Sequence, residues 1–434
     1  MHKIIIGLLG IALLCSCKDN HPFPEPTPSP TPTPQPTVYD QTVLVYMSGE
    51  NNLANNDGDF MGSDIREMVE GSKSLSEKQR LLVFIDSVGT SNMPHIVEIT
   101  KGKRQVVYQY NSDFDASDPN KFRDVIEWTI DHYPANDYGL VLWGHASGWT
   151  VETDTVATKS LTRAYGYDYG YDTGSIRMAM NITQMAKAFE GLPTFKYILA
   201  DCCQFMCIES AYELREAADY LIGSPAEIPG YGAPYDKLIP LLFSESDTFY
   251  NDIVDCYYNY YIDSYKSPEY TQNGQFDYSY VYGYSVPLSV IDLTQMESLG
   301  QATQTALASF VPIAPADLDL SDFAFYWSIY DTPVMYDMKA VFKKYAPEGV
   351  YQDWLAVYNQ VVPYYRFSKS WQTEYNLIYA TFDSLKSDSE ADEKYGCVSM
   401  FFPQKRYTYS YYKYNTRIRN FQWYYKVNWS NYGW

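Results

Sequence analysis

Leu140-Val141-Leu142-Trp143-Gly144-His145-Ala146-Ser147-Gly148 and Tyr197-Ile198-Leu199-Ala200-Asp201-Cys202-Cys203 are the two stretches that decide the reading of this chain. Each is a short apolar run that ends in a reactive side chain. Apolar runs without alternation fit strands buried on both faces, the habit of a parallel sheet covered by helices. In such an open α/β sheet, ligands meet the carboxyl ends of the strands. Two strands ending in His145 and Cys203 therefore set a base beside a thiol, the arrangement a cysteine nucleophile needs.

Outward from these runs, residues 43–47 and 81–86 read as strands, with a helical stretch at 64–70 between them. Residues 96–100 and 106–110 are short β-rich runs joined through Lys101-Gly102-Lys103, a hairpin signal. Residues 120–132 place Phe122, Val125, Ile126, Thr129 and Ile130 at helical spacing, stop at Pro134 and deliver the chain to the strand at 140–143. Residues 182–189 are helical again, Pro193 breaks them, and the strand at 197–200 follows. This order predicts an α/β fold with a mostly parallel sheet sandwiched by helices. Between the two reactive strands, residues 150–177 have little periodicity, and a long loop of that kind is usually functional or disordered. Beyond residue 245 the chain becomes Tyr-rich and less regular, with helical patterns at 293–310 and 338–345. Residues 397–402, closed by Pro403, read as a strand added to the main sheet. The division expected is a main domain at 39–245 and a C-terminal subdomain at 246–434 that contributes to the sheet.

The first residues carry one lysine, Lys3, and lead into an apolar run at 4–14 that closes on Leu14-Cys15-Ser16-Cys17. A run this short with a basic start reads as a secretory signal rather than a membrane span. Its Leu-x-Ser-Cys ending resembles a bacterial lipobox, in which Cys17 is acylated and becomes the first mature residue. An ordinary signal peptide cleaved nearby is the plainer alternative. Pro22, Pro24, Pro26, Pro28, Pro30, Pro32, Pro34 and Pro36 follow at every second position. That spacing forbids helix and describes an extended spacer over residues 18–38. The expectation is a bacterial envelope protein held by lipid alone, at the outer membrane, with the periplasmic or surface face left open.

The roughly 395 residues after the stalk exceed one ordinary domain. A net charge of −21 argues against a nucleic-acid partner and favours basic peptides. The 45 tyrosines fit either a binding face or a sheet and core filling. Of seven cysteines, Cys202, Cys203, Cys207, Cys256 and Cys397 follow the signal, an odd number that leaves at least one thiol free or paired outside the chain. No Cys-x-x-Cys pair supports a zinc site.

Among five histidines, His2 and His21 lie in the signal and stalk, His132 ends a helix and His95 begins a strand. Only His145 stands at a strand's carboxyl end among small residues. Cys203 opens a helical pattern that runs to residue 218, so a helix dipole is expected to favour its thiolate. Cys202 and Cys207 are the bland alternatives, small apolar residues of a core.

These blocks carry a resemblance. His145-Ala146-Ser147-Gly148-Trp149, preceded by Leu142-Trp143, and Asp201-Cys202-Cys203 followed by Glu209-Ser210-Ala211-Tyr212-Glu213-Leu214 resemble the two signature blocks of the clostripain family of cysteine peptidases. Val43 through Met47 with Asn51-Asn52-Leu53, Gly223-Ser224 through Pro234-Tyr235-Asp236, and stretches at 286–293 and 396–403 match further. The resemblance implies a caspase-like α/β fold, a usually monomeric endopeptidase, and cleavage after Arg or Lys through a thioester. It implies Cys203 as nucleophile, His145 as its partner, and Asp201 in the pocket for the basic side chain, where helix capping is Asp201's plainer role. Backbone N–H groups of Ala146 and Cys203 are the implied oxyanion donors. Ala146 departs from a usual Gly, so it is strained if that position needs φ > 0. Self-cleavage in the 150–177 loop is implied, with Lys159 the preferred site and Arg163 next. No cofactor is required by the dyad. Some relatives need calcium, for which Asp168 and Asp172 offer oxygens, although Tyr-Gly-Asp repetition is also ordinary turn chemistry. The rival reading is an envelope-anchored glycan- or protein-binding module on a catalytically impaired scaffold.

Overall fold

A computed structural model describes residues 37–54, 59–89, 92–150, 165–168, 178–264, 269–270, 276–277, 286–329, 332–367, 370–373, 379–381, 393–408 and 413–434. Cys17, Lys159, Arg163 and Asp172 lie outside them. Residues Thr37–Trp434 cluster as one compact unit.

The chain builds β1 (Tyr39–Gly49), α1 (Phe60–Gly71), β2 (Gln79–Ser87), β3 (His95–Thr100), β4 (Lys103–Gln109), α2 (Pro119–His132) and β5 (Ala135–Trp143) in that order. A short pair, β6 (Tyr165–Asp168) and β7 (Met178–Met180), precedes α3 (Ile182–Ala188), β8 (Phe195–Asp201), α4 (Ile208–Glu213) and β9 (Ala218–Gly223). α5 (Tyr235–Leu242), α6 (Phe249–Ser264) and α7 (Met296–Phe310) follow. The main sheet has nine strands, and its centre, β9-β8-β5-β1-β2, is parallel throughout. Antiparallel strands close both edges: β3 and β4 on one side, residues 288–292 and 364–366 on the other.

Alternation within the apolar runs explains the layers. Leu44 and Tyr46 of β1, Leu140 and Leu142 of β5, and Ile198 and Ala200 of β8 face the core under α2, α3 and α7. Val43, Val45, Val141, Trp143, Tyr197 and Leu199 face the core under α1, α5 and α6. With both faces covered, a strand has no polar side to show, which is why the runs read as unbroken. α2 begins where Asp118 accepts hydrogen bonds from the N–H groups of Asn120 and Lys121 and Pro119 takes the first helical position.

One expectation changes. The strand near residue 400 joins a separate three-stranded sheet with residues 325–329 and 332–337, not the main sheet. Its outer neighbours differ because Asp337 accepts from the Gly396 and Cys397 N–H groups and anchors that segment there. The late aromatic residues turn inward: Tyr326, Tyr358, Tyr395, Tyr407, Trp423 and Trp429 are all buried. Among the described residues these aromatic side chains fill the core.

Candidate active site

Parallel pairing sets the two reactive strands in register, with Trp143 opposite Asp201. His145 and Cys203 each lie two residues beyond that pair, on neighbouring strands about 4.8 Å apart. From Leu140 to Thr150 every residue but His145 is buried, and from Tyr197 to Leu214 every residue but Cys203 is buried. The sheet thus offers solvent one base and one thiol at a single edge.

Glycines join the two loops. Gly144 (φ 144°) and Gly148 (φ 60°) take the left-handed turns of the histidine loop. A Cβ on Gly148 would stand 2.4 Å from the Gln204 carbonyl oxygen and 3.2 Å from Cys207 Sγ, so this loop lies directly on the cysteine loop. Ala146 is not among the residues with positive φ, so its departure from glycine carries no left-handed strain. Trp149 is buried against Phe401, Tyr414 and Phe421, which fixes the loop from behind.

His145 Nε2 lies 2.8 Å from Asn52 Oδ1. An acceptor there selects the tautomer protonated at Nε2 and makes Nδ1 the basic nitrogen. Among the described residues, neither Ala146 N–H nor Cys203 N–H donates to a protein acceptor, as oxyanion donors must not. His132 instead bonds the Trp128 carbonyl at the end of α2 and His95 the Met93 carbonyl, so each serves its own element.

Cys203 does not open a helix, as its sequence pattern suggested. After β8, Gln204 takes φ 51°, its N–H bonds the Ala226 carbonyl, and the Met206 N–H bonds the Ser224 carbonyl. The chain runs alongside the segment after β9 until α4 starts at Ile208. No helix dipole reaches the thiol. Burial, and then the Glu227 carboxylate, push the Cys203 thiol up to about 12, against a lowering by the Ile228 N–H 3.4 Å from Sγ. Cys202 is wholly buried and Cys207 Sγ donates to Ser210 Oγ at 3.0 Å, as core thiols do. Among the described residues no two cysteines form a disulfide.

Asp201 caps no helix either. Its carboxyl accepts from Tyr235 OH and Tyr257 OH, both at 2.7 Å, and from Ala233 N–H at 3.1 Å. Burial raises its pKa, opposed by these donors. Beside it Asp64, held by Trp143 Nε1 at 2.6 Å, is pushed up to about 9 by burial and then by Asp201. Glu67 accepts the Tyr235 N–H at 3.0 Å. An acidic patch therefore underlies the thiol on the α1 side of the sheet.

Asp168 lies on the opposite side, buried, with Oδ2 accepting the Ala116 N–H at 2.6 Å. Among the described acids it lies with Glu50 and Asp86. Sequence reasoning missed Asn52, Glu50 and Asp86. The rule that found His145 and Cys203 reaches them too, because Glu50 and Asn52 directly follow β1 and Asp86 stands at the end of β2.

The profile of the clostripain family matches residues 45–434. The chain belongs to the clostripain family. As a clostripain-family protein it is a cysteine peptidase, and solved structures agree. A secreted C11 cysteine protease from Bacteroides thetaiotaomicron, solved with an irreversible peptide inhibitor, is similar at 25% identity with a TM-score of 0.72, over 90% of this chain and 99% of that one. An inactive zymogen C11 protease from Parabacteroides distasonis shares the fold, with 22% identity, TM-score 0.69, and 91% and 99% coverage. A B. fragilis cysteine protease matches at 26% identity and TM-score 0.51, over 59% of this chain and 96% of that one. No protein of curated function matches in sequence.

Proposed function

We propose that this clostripain-family chain is an endopeptidase that cuts after Arg or Lys, with Cys203 as nucleophile and His145 as acid and base. The observation that carries the reading is the pairing of one partly exposed imidazole and one partly exposed thiol at the same edge of two registered strands. Cys203 Sγ attacks the scissile carbonyl carbon while its proton passes to His145. The carbonyl oxygen, now negative, faces the Ala146 and Cys203 N–H groups. Collapse expels the amine, which takes the proton from His145, and leaves a thioester. Water, deprotonated by His145, then hydrolyses it. A thiol with a raised pKa stays protonated at rest, so its proton leaves in step with attack.

Asp201, with Glu67 near it at Tyr235, is the acidic floor that would select a basic side chain. Its hydroxyl partners Tyr235 and Tyr257 would have to share it with the incoming cation. Activation by self-cleavage at Lys159, then Arg163, and anchoring to the envelope through acylated Cys17 complete the proposal. The zymogen described for the P. distasonis relative supports the first of these by analogy alone.

The test uses fluorogenic peptides ending in Arg, Lys or a neutral residue with wild-type, Cys203→Ala and Asp201→Asn proteins. Turnover confined to basic peptides and lost in Cys203→Ala is expected. Equal cleavage after neutral residues would remove Asp201 from its role, and activity in Cys203→Ala would remove the dyad. Wild type splitting into two fragments while Cys203→Ala stays intact reports self-cleavage, and loss of palmitate labelling in Cys17→Ala reports the anchor.

A further inference from the structure

Residues 224–233 form a wall beside the nucleophile. The Met206 N–H bonds the Ser224 carbonyl at 3.0 Å and the Gln204 N–H bonds the Ala226 carbonyl at 2.9 Å, so the wall lies against the cysteine loop. Ile228 then brackets the thiol, with its N–H 3.4 Å and its carbonyl oxygen 3.8 Å from Cys203 Sγ. At the far end the Ala233 N–H donates to Asp201 Oδ2 at 3.1 Å, and a Cβ on Gly232 would stand 2.7 Å from that oxygen. One short stretch of chain thus spans the distance from the thiol to Asp201.

Glu227 stands at the thiol end of this wall. Ser224, Pro225 and Ala226 are buried and Ile228 packs against the core on the α1 side, so Glu227 is the first residue of the stretch that reaches solvent. Among the charged groups that act on the Cys203 thiol, Glu227 acts most strongly, ahead of Asp201. The two acids differ in kind. Asp201 is sealed in and accepts from three donors of the protein itself, whereas Glu227 is half-buried. A carboxylate beside a nucleophilic thiol opposes the thiolate, because like charges repel. That cost is removed when a cation arrives with the substrate.

Resting on the peptidase reading above, we infer that Glu227 is a second specificity-determining residue, which takes a basic side chain flanking the scissile Arg or Lys. In an extended peptide successive side chains point to opposite sides. A scissile side chain turned inward to Asp201 therefore turns its neighbour outward, to the level at which Glu227 meets solvent. An arginine or lysine there pairs its charge with Glu227 and lifts the repulsion that opposes the attacking sulfur. The preferred substrate class is a peptide with two adjacent basic residues, one at the cut and one beside it.

The experiment gives the wild-type chain internally quenched peptides that carry a single Arg among neutral residues, or the same Arg with a second Arg on one side or the other, and locates each cut by mass spectrometry. A second Arg on one side should raise kcat/KM about fivefold. Glu227→Gln should lose that gain and keep the demand for Arg at the cut. Asp353→Asn, at an exposed acid of the helix Glu348–Val361, should keep the gain. A wild-type gain below about twofold on both sides, or one that survives in Glu227→Gln, would overturn the inference. A gain lost equally in Asp353→Asn would overturn it too, by assigning the effect to overall charge. A second measurement needs no turnover: alkylation of Cys203 by iodoacetamide at pH 8 should be about threefold faster in Glu227→Gln, the net of more thiolate and a weaker nucleophile. Equal alkylation rates would remove Glu227 from the thiol. Failure to cut any of the peptides would sink the peptidase reading instead, and the alkylation rates would still decide the place of Glu227.

Discussion

Replacing Gly148 by alanine tests whether the histidine and cysteine loops are wedged against each other. The residue sits at φ 60°, where an L side chain costs about 1–2 kcal/mol. Its new Cβ would stand 2.4 Å from the Gln204 carbonyl oxygen, while ordinary contact begins at 3.4 Å. The loops must therefore part by about 1 Å, and overpacking of this kind costs about 1–3 kcal/mol more. Gly191 supplies the control. It has φ 78° but nothing within 4 Å of its Cβ position, so Gly191→Ala carries the backbone cost alone. Urea unfolding should show Gly148→Ala destabilised by about 2–5 kcal/mol and Gly191→Ala by about 1–2. In peptide hydrolysis, a displacement of about 1 Å between Cys203 and His145 is expected, on the proposed mechanism, to lower kcat/KM about a hundredfold in Gly148→Ala, with Gly191→Ala unchanged. Equal stability of the two variants, with kcat/KM of Gly148→Ala within about threefold of wild type, would refute the wedge.

Asn52→Ala removes the acceptor at His145 Nε2 and should lower kcat about tenfold with KM nearly constant and the acidic limb of the pH profile displaced; an unmoved profile would mean that Asn52 does not orient the ring. Because the Cys203 thiol is held up at about 12, its alkylation by iodoacetamide, followed by peptide mapping, should accelerate about tenfold per pH unit from pH 7 to 9.5; a rate already level at pH 7 would contradict the burial argument. Asp64 titrates near 9 in the fold against a usual 3.8, so the unfolded chain ionises first and stability falls as pH rises from about 4 to about 9. Asp64→Asn lacks that loss, and its urea midpoint should drop less between pH 5 and 8 than the wild-type midpoint; identical drops would reject the assignment.

The strand runs at 43–47, 81–86, 140–143 and 197–200 were legible because burial on both faces leaves an unbroken apolar signature. His145 and Cys203 were legible because they terminate two such runs. What followed Cys203 was not. The spacing from Gln204 onward looks helical, but the left-handed Gln204 and its bond to the Ala226 carbonyl depend on a strand partner that no local pattern announces. The concern over Ala146 dissolved for a similar reason, since the left-handed positions of that loop fall on Gly144 and Gly148. Asp168 was noticed as an acid in a loop. Its companions Glu50 and Asp86 are more than 80 residues away in sequence, and only the β1–β2 pairing brings them to it.

Trp149, four residues after His145, is enclosed by Phe401, Tyr414 and Phe421. Those rings are synthesised long after the tryptophan they cover. Contacts between residues so distant in sequence form late in folding, because the intervening chain must first be ordered. The strands that carry His145 and Cys203 can pair early, while the loop that aims the imidazole has no back wall until the far end of the chain arrives. A chain whose last residues have not yet been made lacks the rings that back the His145 loop.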